Sequence, residues 1–182
     1  TGVDYHHLDL RNNIWTNTAE IPNNGIDDDH NGYIDDIHGW NHQTKDGKIS
    51  WDKPGDDGHG THVAGTVAAV NNNGKGVCGV AGGDGSGNGV RIMSSQLFSG
   101  NTKGTAEASA KAFKYAADNG AVVMQCSWGY VSGAVHEYEW GEAGFASEEE
   151  WIAGSPIEKE ALDYFINNAG SPNGVIEGGV AV

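Results

Sequence analysis

Apolar and polar positions change rhythm sharply along the chain. Residues 1 to 57 are polar, acidic and rich in turn formers, with no sustained period of either 3.6 or 2. From Gly58 onward helical and strand-like stretches alternate. Thr61 to Val70 is a run of small residues suited to a buried helix, and Thr105 to Asn119 (TAEASAKAFKYAADN) predicts a second helix stopped by Gly120. Arg91 to Phe98, Ala121 to Cys126 and Val175 to Val182 predict strands, and Ile157 to Asn168 a further helix. Helix and strand in alternation argue for an α/β fold whose parallel sheet is covered on both faces. Val131 to Ser155 is acidic, aromatic and aperiodic, which predicts a long surface insertion.

Composition narrows the possible partners. The 182 residues are 37% hydrophobic, enough for a sizeable core in one domain. A formal net charge of -15 repels phosphate backbones and anionic membranes, so nucleic acid is excluded as a partner. No run of about twenty apolar residues is present to insert in a bilayer. Cys78 and Cys126 each adjoin an apolar residue, which favours two buried free thiols, with a disulfide between them the alternative. The opening Thr1-Gly2-Val3 and the closing Gly178-Gly179-Val180-Ala181-Val182, which reads as an interrupted strand, predict a chain cut at both ends. Oligomeric state leaves no mark in the pattern.

The densest chemistry is Gly58-His59-Gly60-Thr61-His62-Val63-Ala64-Gly65-Thr66-Val67-Ala68-Ala69. A histidine at the mouth of a small-residue helix, with glycine on either side, can face a cleft and act as a general base. His59 fits that position, whereas His62, one turn in, is expected to be packed or hydrogen-bonded inside. Neither His6-His7 nor His59-x-x-His62 is joined by a third ligand at zinc spacing.

This twelve-residue run resembles the histidine motif of the subtilisin family. Thr1 to Leu10 (TGVDYHHLDL) resembles the segment that follows that family's catalytic aspartate, so the resemblance places the aspartate immediately before Thr1 and Asp4 downstream of it. Val122 to Gly129 (VVMQCSWG) is similar to the family's strand that pairs with extended substrate. It implies substrate-binding roles for Ser127, Trp128 and Gly129, with Trp128 standing where the family usually has Leu. Gly174 to Val182 resembles the strand leading to the oxyanion Asn, and neither that Asn nor the nucleophile motif Gly-Thr-Ser-Met-Ala occurs among residues 1–182.

The resemblance implies a three-layer α/β/α fold with a mainly parallel sheet, incomplete within residues 1–182. It further implies a secreted or cell-envelope serine endopeptidase acting on polypeptides through a Ser-His-Asp triad, of which this chain holds only His59. The chain by itself is then expected to be inactive. The competing reading is a non-catalytic calcium- or peptide-binding module on the same fold, distinguished by whether a nucleophile serine follows in the parent protein.

Two segments point to structural calcium. Within the acidic stretch 23–57, Asp27, Asp29 and Asn31 alternate, followed by Gly32, the Tyr33 carbonyl and a late carboxylate at Asp35 or Asp36. That is the logic of an EF-hand-like loop, without its full spacing or terminal Glu. The second segment, Val70 to Val77, resembles the family's calcium loop after the histidine helix. It implies carbonyls from Val70, Lys75 and Val77, the Asn72 side chain and the Asp9 carboxylate, in a loop one residue longer than the family pattern.

Overall fold

The computed structural model describes residues 1–102, 104–129 and 144–182. These form two compact units, Thr1–Gly104 and Thr105–Val182. Both are α/β with parallel strands, the class that the alternating pattern predicts.

In the first unit, a 3-10 turn at Arg11–Asn13 precedes strand β1 (Gly39–Asn41), helix α1 (His59–Ala68) and strand β2 (Ser94–Gln96). Helix α1 begins two residues earlier than the small-residue run suggested, because Gly58 adopts φ 68°, which only glycine takes without strain, and turns the chain into the helix at His59. Ala64 and Ala68 face a core completed by Val3 and Leu10, with Ile14, Val67 and Ile92 against it. Side chains this small let the backbone of α1 lie close to its neighbours. The buried Asn13 amide then ties the helix end down, donating to Ala68 O at 2.8 Å and Gly82 O at 2.7 Å.

Strands β1 and β2 pair in parallel, Trp40 opposite Ser95. Gly39, at φ 125°, is obligatory, since a Cβ there would sit 1.9 Å from Ser94 O. The fully buried Gln96 completes the layer by accepting from Ser50 N at 2.8 Å and donating to Phe98 O at 2.9 Å. Asp56 closes the unit's loops, accepting from Gly100 N at 2.7 Å, Ser50 Oγ at 2.8 Å and Lys53 N at 2.9 Å.

The second unit runs through helix α2 (Ala106–Asp118), strand β3 (Val123–Met124), helix α3 (Glu148–Gly154), helix α4 (Pro156–Asn168) and strand β4 (Val180–Ala181). Thr105 Oγ1 caps α2 by accepting from Ala108 N at 3.1 Å, and Gly120 at φ 81° ends it. An alanine-rich face of α2 packs on α4, where Ala116, Ala117, Phe165 and Ala169 form the core with Ala121, Met124 and Tyr164 beside them. Phe165 is fully buried, and Gly179 makes room for it, because a Cβ there would approach its ring to 2.4 Å.

Three expectations need revision. Regular strand pairing is shorter than the predicted strands, with β3 paired to β4 over only two residues each. The segment 131–155 contains ordered helix: α3 is capped by Ser147 Oγ, which accepts from Glu150 N at 3.2 Å, with three glutamates favourably placed in its first turn; residues 130–143 lie outside the described part. Both cysteines are free, and neither is fully buried: Cys126 is half-buried, and Cys78 is exposed within a loop whose residues 74–78 all face solvent.

Removing the Phe165 ring leaves a cavity between α2 and α4, so Phe165→Ala should cost about 3–5 kcal/mol in chemical denaturation. A second expectation concerns pH. Burial alone would push the Asp56 carboxyl up, but donation from Gly100, Ser50 and Lys53, with the Lys53 charge, outweighs it and leaves Asp56 below its ordinary value of 3.8. A depressed carboxylate stabilises the fold above its unfolded value and loses that contribution as pH falls through the folded one. The stability gap between wild type and Asp56→Asn should therefore be constant near neutrality and narrow below about pH 3.8 in pH-dependent denaturation curves.

Candidate functional site

His59 is the first residue of α1 and is exposed. Its backbone N–H donates to Asp57 Oδ1 at 2.9 Å, and this bond is the foremost reason that the Asp57 carboxyl lies below its usual range. Residues 1–4 are laced to the same turn. Gly60 N donates to Thr1 Oγ1 at 2.8 Å, Asp4 N donates to Thr61 Oγ1 at 2.9 Å, and a Cβ on Gly60 would meet the carbonyl oxygens of both Thr1 and Gly2 at 2.5 Å. The Asp4 carboxylate is spent on its own turn, taking the His6 N–H at 2.9 Å. Among the described residues no side chain bonds the exposed His59 ring.

The inward packing expected of His62 is not found. It is exposed, with only its backbone engaged: its N–H goes to Gly58 O at 3.0 Å and its carbonyl accepts from Thr66 Oγ1 at 3.1 Å. Ala64 and Ala68 mark the buried face of α1, and position 62 falls outside it.

In the second unit, β3 continues past its ladder. Cys126 N donates to Val182 O at 2.6 Å, and beyond it Ser127, Trp128 and Gly129 are exposed. Ser127 Oγ accepts from Gln125 Nε2 at 3.0 Å, and a Cβ on Gly129 would meet no atom of the described residues within 4 Å. Trp128 stacks on Phe113, centroids 6.3 Å apart and planes 20° apart. The two rings line an apolar cleft of about 420 Å³ shared with Met124, Cys126, Trp151 and Leu162, and burial there pushes the Cys126 thiol up.

The acidic loop folds around its carboxylates. Asp27 accepts from Asn31 N at 3.0 Å and Gly32 N at 2.8 Å, Asp29 from Asn31 N at 3.1 Å, and Asn31 Oδ1 from Tyr33 N at 2.8 Å. The fully buried Asp36 joins them through Asn17 Nδ2 at 2.8 Å and Asn31 Nδ2 at 3.3 Å. Asp35, at φ 55°, turns its carboxylate to Asn24 N and Gly25 N instead. Of the two late carboxylates, Asp36 is the one in the cluster.

Glu20, which the loop pattern does not contain, is also there. It is buried, and accepts from Asp28 N at 2.7 Å, Asp29 N at 3.2 Å and Asp35 N at 2.9 Å. Its only sequence signal is being the one charged residue between Arg11 and Asp27. Oxygens of Glu20, Asp27 and Asp29 lie within 4.8 Å of one another. Two ligands on one Ca²⁺ can be up to about 5 Å apart at ordinary Ca–O lengths, so this all-oxygen set fits a hard divalent cation.

The second loop closes on Asp9, which is 3% exposed. Its Oδ1 accepts from Asn73 Nδ2 at 2.5 Å and its Oδ2 from Val77 N at 3.2 Å, while Val70 N reaches its carbonyl at 3.0 Å. Asn73, and not Asn72, is thus the asparagine bonded to the Asp9 carboxylate. Asn72 is exposed at φ 59°. Lys75 approaches through its N–H, bonded to Asn73 Oδ1 at 2.9 Å. Asn71 Oδ1 is buried with no partner among the described residues, so the loop retains an oxygen able to receive a cation.

Sequence comparison bears on this arrangement as a whole. A model of the subtilase family matches residues 1–172. Subtilisin-like protease 1 of Plasmodium vivax is 48% identical over 83 residues, which is 45% of this chain and 12% of that protein. The thermophilic serine proteinase of Bacillus sp. (strain AK1) is 33% identical over 129 residues, 71% of this chain and 24% of that protein, and thermitase of Thermoactinomyces vulgaris is 37% identical over 98 residues, 49% and 33% respectively. The matches thus span from about an eighth to a third of these relatives' own lengths. With a family match covering all but the last ten residues, and with the histidine motif folded as an exposed helix start, the chain belongs to the subtilase family.

Proposed function

We propose that this chain supplies the general-base histidine and the substrate strand of a serine endopeptidase that cuts extended polypeptides. The supporting observation is the lacing of residues 1–4 to the first turn of α1: it holds the backbone of Thr1 and Gly2 against Gly60, next to exposed His59, and an aspartate immediately before Thr1, as the family resemblance implies, would lie close to that turn. In the worked triad chemistry, whose convergent examples include subtilisin, a serine hydroxyl attacks the scissile carbonyl as histidine takes its proton. His59 then returns that proton to the leaving amine, and aspartate orients its ring. An extended peptide would add to the strand end at Ser127–Gly129 through main-chain bonds, with Trp128 walling a side-chain pocket. In the full-length protein, His59→Ala should lower kcat by about 10⁶-fold with an unchanged circular dichroism spectrum. His62→Ala should leave turnover within a few-fold, since its ring is exposed; the opposite pattern would reverse the assignment.

The acidic loop is proposed to hold structural calcium through Glu20, Asp27, Asp29, Asn31, the Tyr33 carbonyl and Asp36, and the 70–77 loop to hold a second ion with Asp9. Buried Glu20 and Asp36 support this, because packed carboxylates repel one another unless a cation joins them. Such loops suit a calcium-rich space outside the cell or in its envelope. Calcium at a hundredfold over its Kd would stabilise the fold by about 2.7 kcal/mol. Melting of wild type and of an Asp27→Ala, Asp29→Ala double variant, each with calcium and with chelator, should show the variant losing part of the calcium-induced rise in Tm. Equal rises would assign the effect to the Asp9 loop.

A further inference from the structure

Six Asn-Gly pairs occur, at Asn24, Asn31, Asn73, Asn88, Asn119 and Asn173. In such a pair the glycine nitrogen can attack the preceding side-chain amide, because no Cβ stands in its path. Four of the six are restrained by that nitrogen's own hydrogen bond. Gly25 N donates to Asp35 Oδ2 at 3.1 Å, Gly32 N to Asp27 Oδ2 at 2.8 Å, Gly120 N to Ala117 O at 3.2 Å and Gly174 N to Ser171 O at 2.8 Å. Gly89 is held by packing, since a Cβ on it would lie 2.3 Å from Gly82 O and 2.8 Å from Asn13 Nδ2. Such close packing opposes the rotation that attack requires.

Asn73-Gly74 has neither restraint. Gly74 is exposed at φ 69°, a Cβ on it would meet nothing within 4 Å, and its N–H donates to no described residue. The Asn73 amide is meanwhile set up as an electrophile. Lys75 N–H donates to its Oδ1 at 2.9 Å, so charge developing on that oxygen is met by a fixed donor. Asn73 Nδ2 donates to Asp9 Oδ1 at 2.5 Å, which sets a carboxylate base beside the reacting amide, able to relay the Gly74 proton to the departing nitrogen.

We propose that Asn73 is a site of spontaneous deamidation that acts on the Asp9 loop. The Gly74 nitrogen attacks Asn73 Cγ, and a new N–Cγ bond replaces the Cγ–Nδ2 bond. The amide nitrogen leaves as ammonia, carrying the proton given up by Gly74, and water opens the resulting succinimide to aspartate or isoaspartate. The product places a carboxylate where an N–H donor had held buried Asp9. Two like charges then face each other and loosen residues 70–77. The outcome is an age-dependent change in stability written into one turn.

The test uses the full-length protein, held with a phosphonate inhibitor against self-digestion and incubated at mildly alkaline pH, with peptide mass spectrometry following all six pairs. Asn73 should convert faster than the other five by about an order of magnitude in the native protein, and the difference should vanish in a heat-unfolded control. Native conversion led by another pair, or equal across all six, overturns the proposal. In chelator, an Asn73→Asp variant should melt below wild type; melting at or above it overturns the coupling to Asp9.

Discussion

The first unit depends on one close backbone approach, between Gly2 and the turn that opens α1. A side chain on Gly60 would strike the carbonyls of Thr1 and Gly2, and one on Gly2 would strike Ser50 O at 2.3 Å. Glycine at both positions lets residues 1–4 slip between the helix start and the 49–50 segment, where the hydroxyls of Thr1 and Thr61 bind the backbone across the gap. Once that contact is made, Val3 and Leu10 reach Ala64 and Ala68, and the core closes behind it. The exposure of His59 is a consequence: the helix face that packs is made of alanine, and the face that carries the imidazole is left to solvent.

Around this small apolar core, the unit is held by carboxylates that gather N–H groups. Glu20, Asp9 and Asp36 are buried, and Asp27, Asp29 and Asp56 each accept two or more donors. A segment that buries few of its large apolar side chains before residue 57 orders its backbone by such bonds, each of them stronger than a neutral one because the acceptor is charged. The cost is mutual repulsion, which grows as the loops tighten. Order in these loops and binding of a cation are therefore coupled on the proposed reading, and loss of the cation would act first on the segments with the most buried carboxylates.

Much of this was legible in the residues. The small-residue helix, the α2 boundary at Gly120 and the acidic turn follow from local pattern, and the α/β class from the alternation of helical and strand-like segments, even though its parallel pairings join distant residues. What escaped was decided by contacts at longer separation or by a local shift of frame. Glu20 reaches Asp28, Asp29 and Asp35 from outside the loop motif, and no spacing rule includes it. Asn73 rather than Asn72 meets Asp9, while Asn72 takes a left-handed conformation that only the folded turn reveals. His62 was misjudged on helical depth, when the buried face of α1 is set by its neighbours and not by distance from its end.

The second unit solves a different problem, that of ending a strand without closing it. Alanines along α2 let α4 come near enough for Phe165 to be fully buried, and this packing fixes β3 and β4 together with only two residues of each in register. The ladder then stops at Cys126, and the backbone of Ser127 and Gly129 makes no hydrogen bond to a described residue. An exposed strand end of this kind is ordinarily an invitation to association, which proteins blunt with charge or proline. Neither is present at 127–129; instead an aromatic ring is stacked beside the open backbone. On the proposed reading that combination divides recognition in two. The backbone would grip any extended peptide without regard to sequence, and selectivity would rest with Trp128 and the apolar cleft it lines.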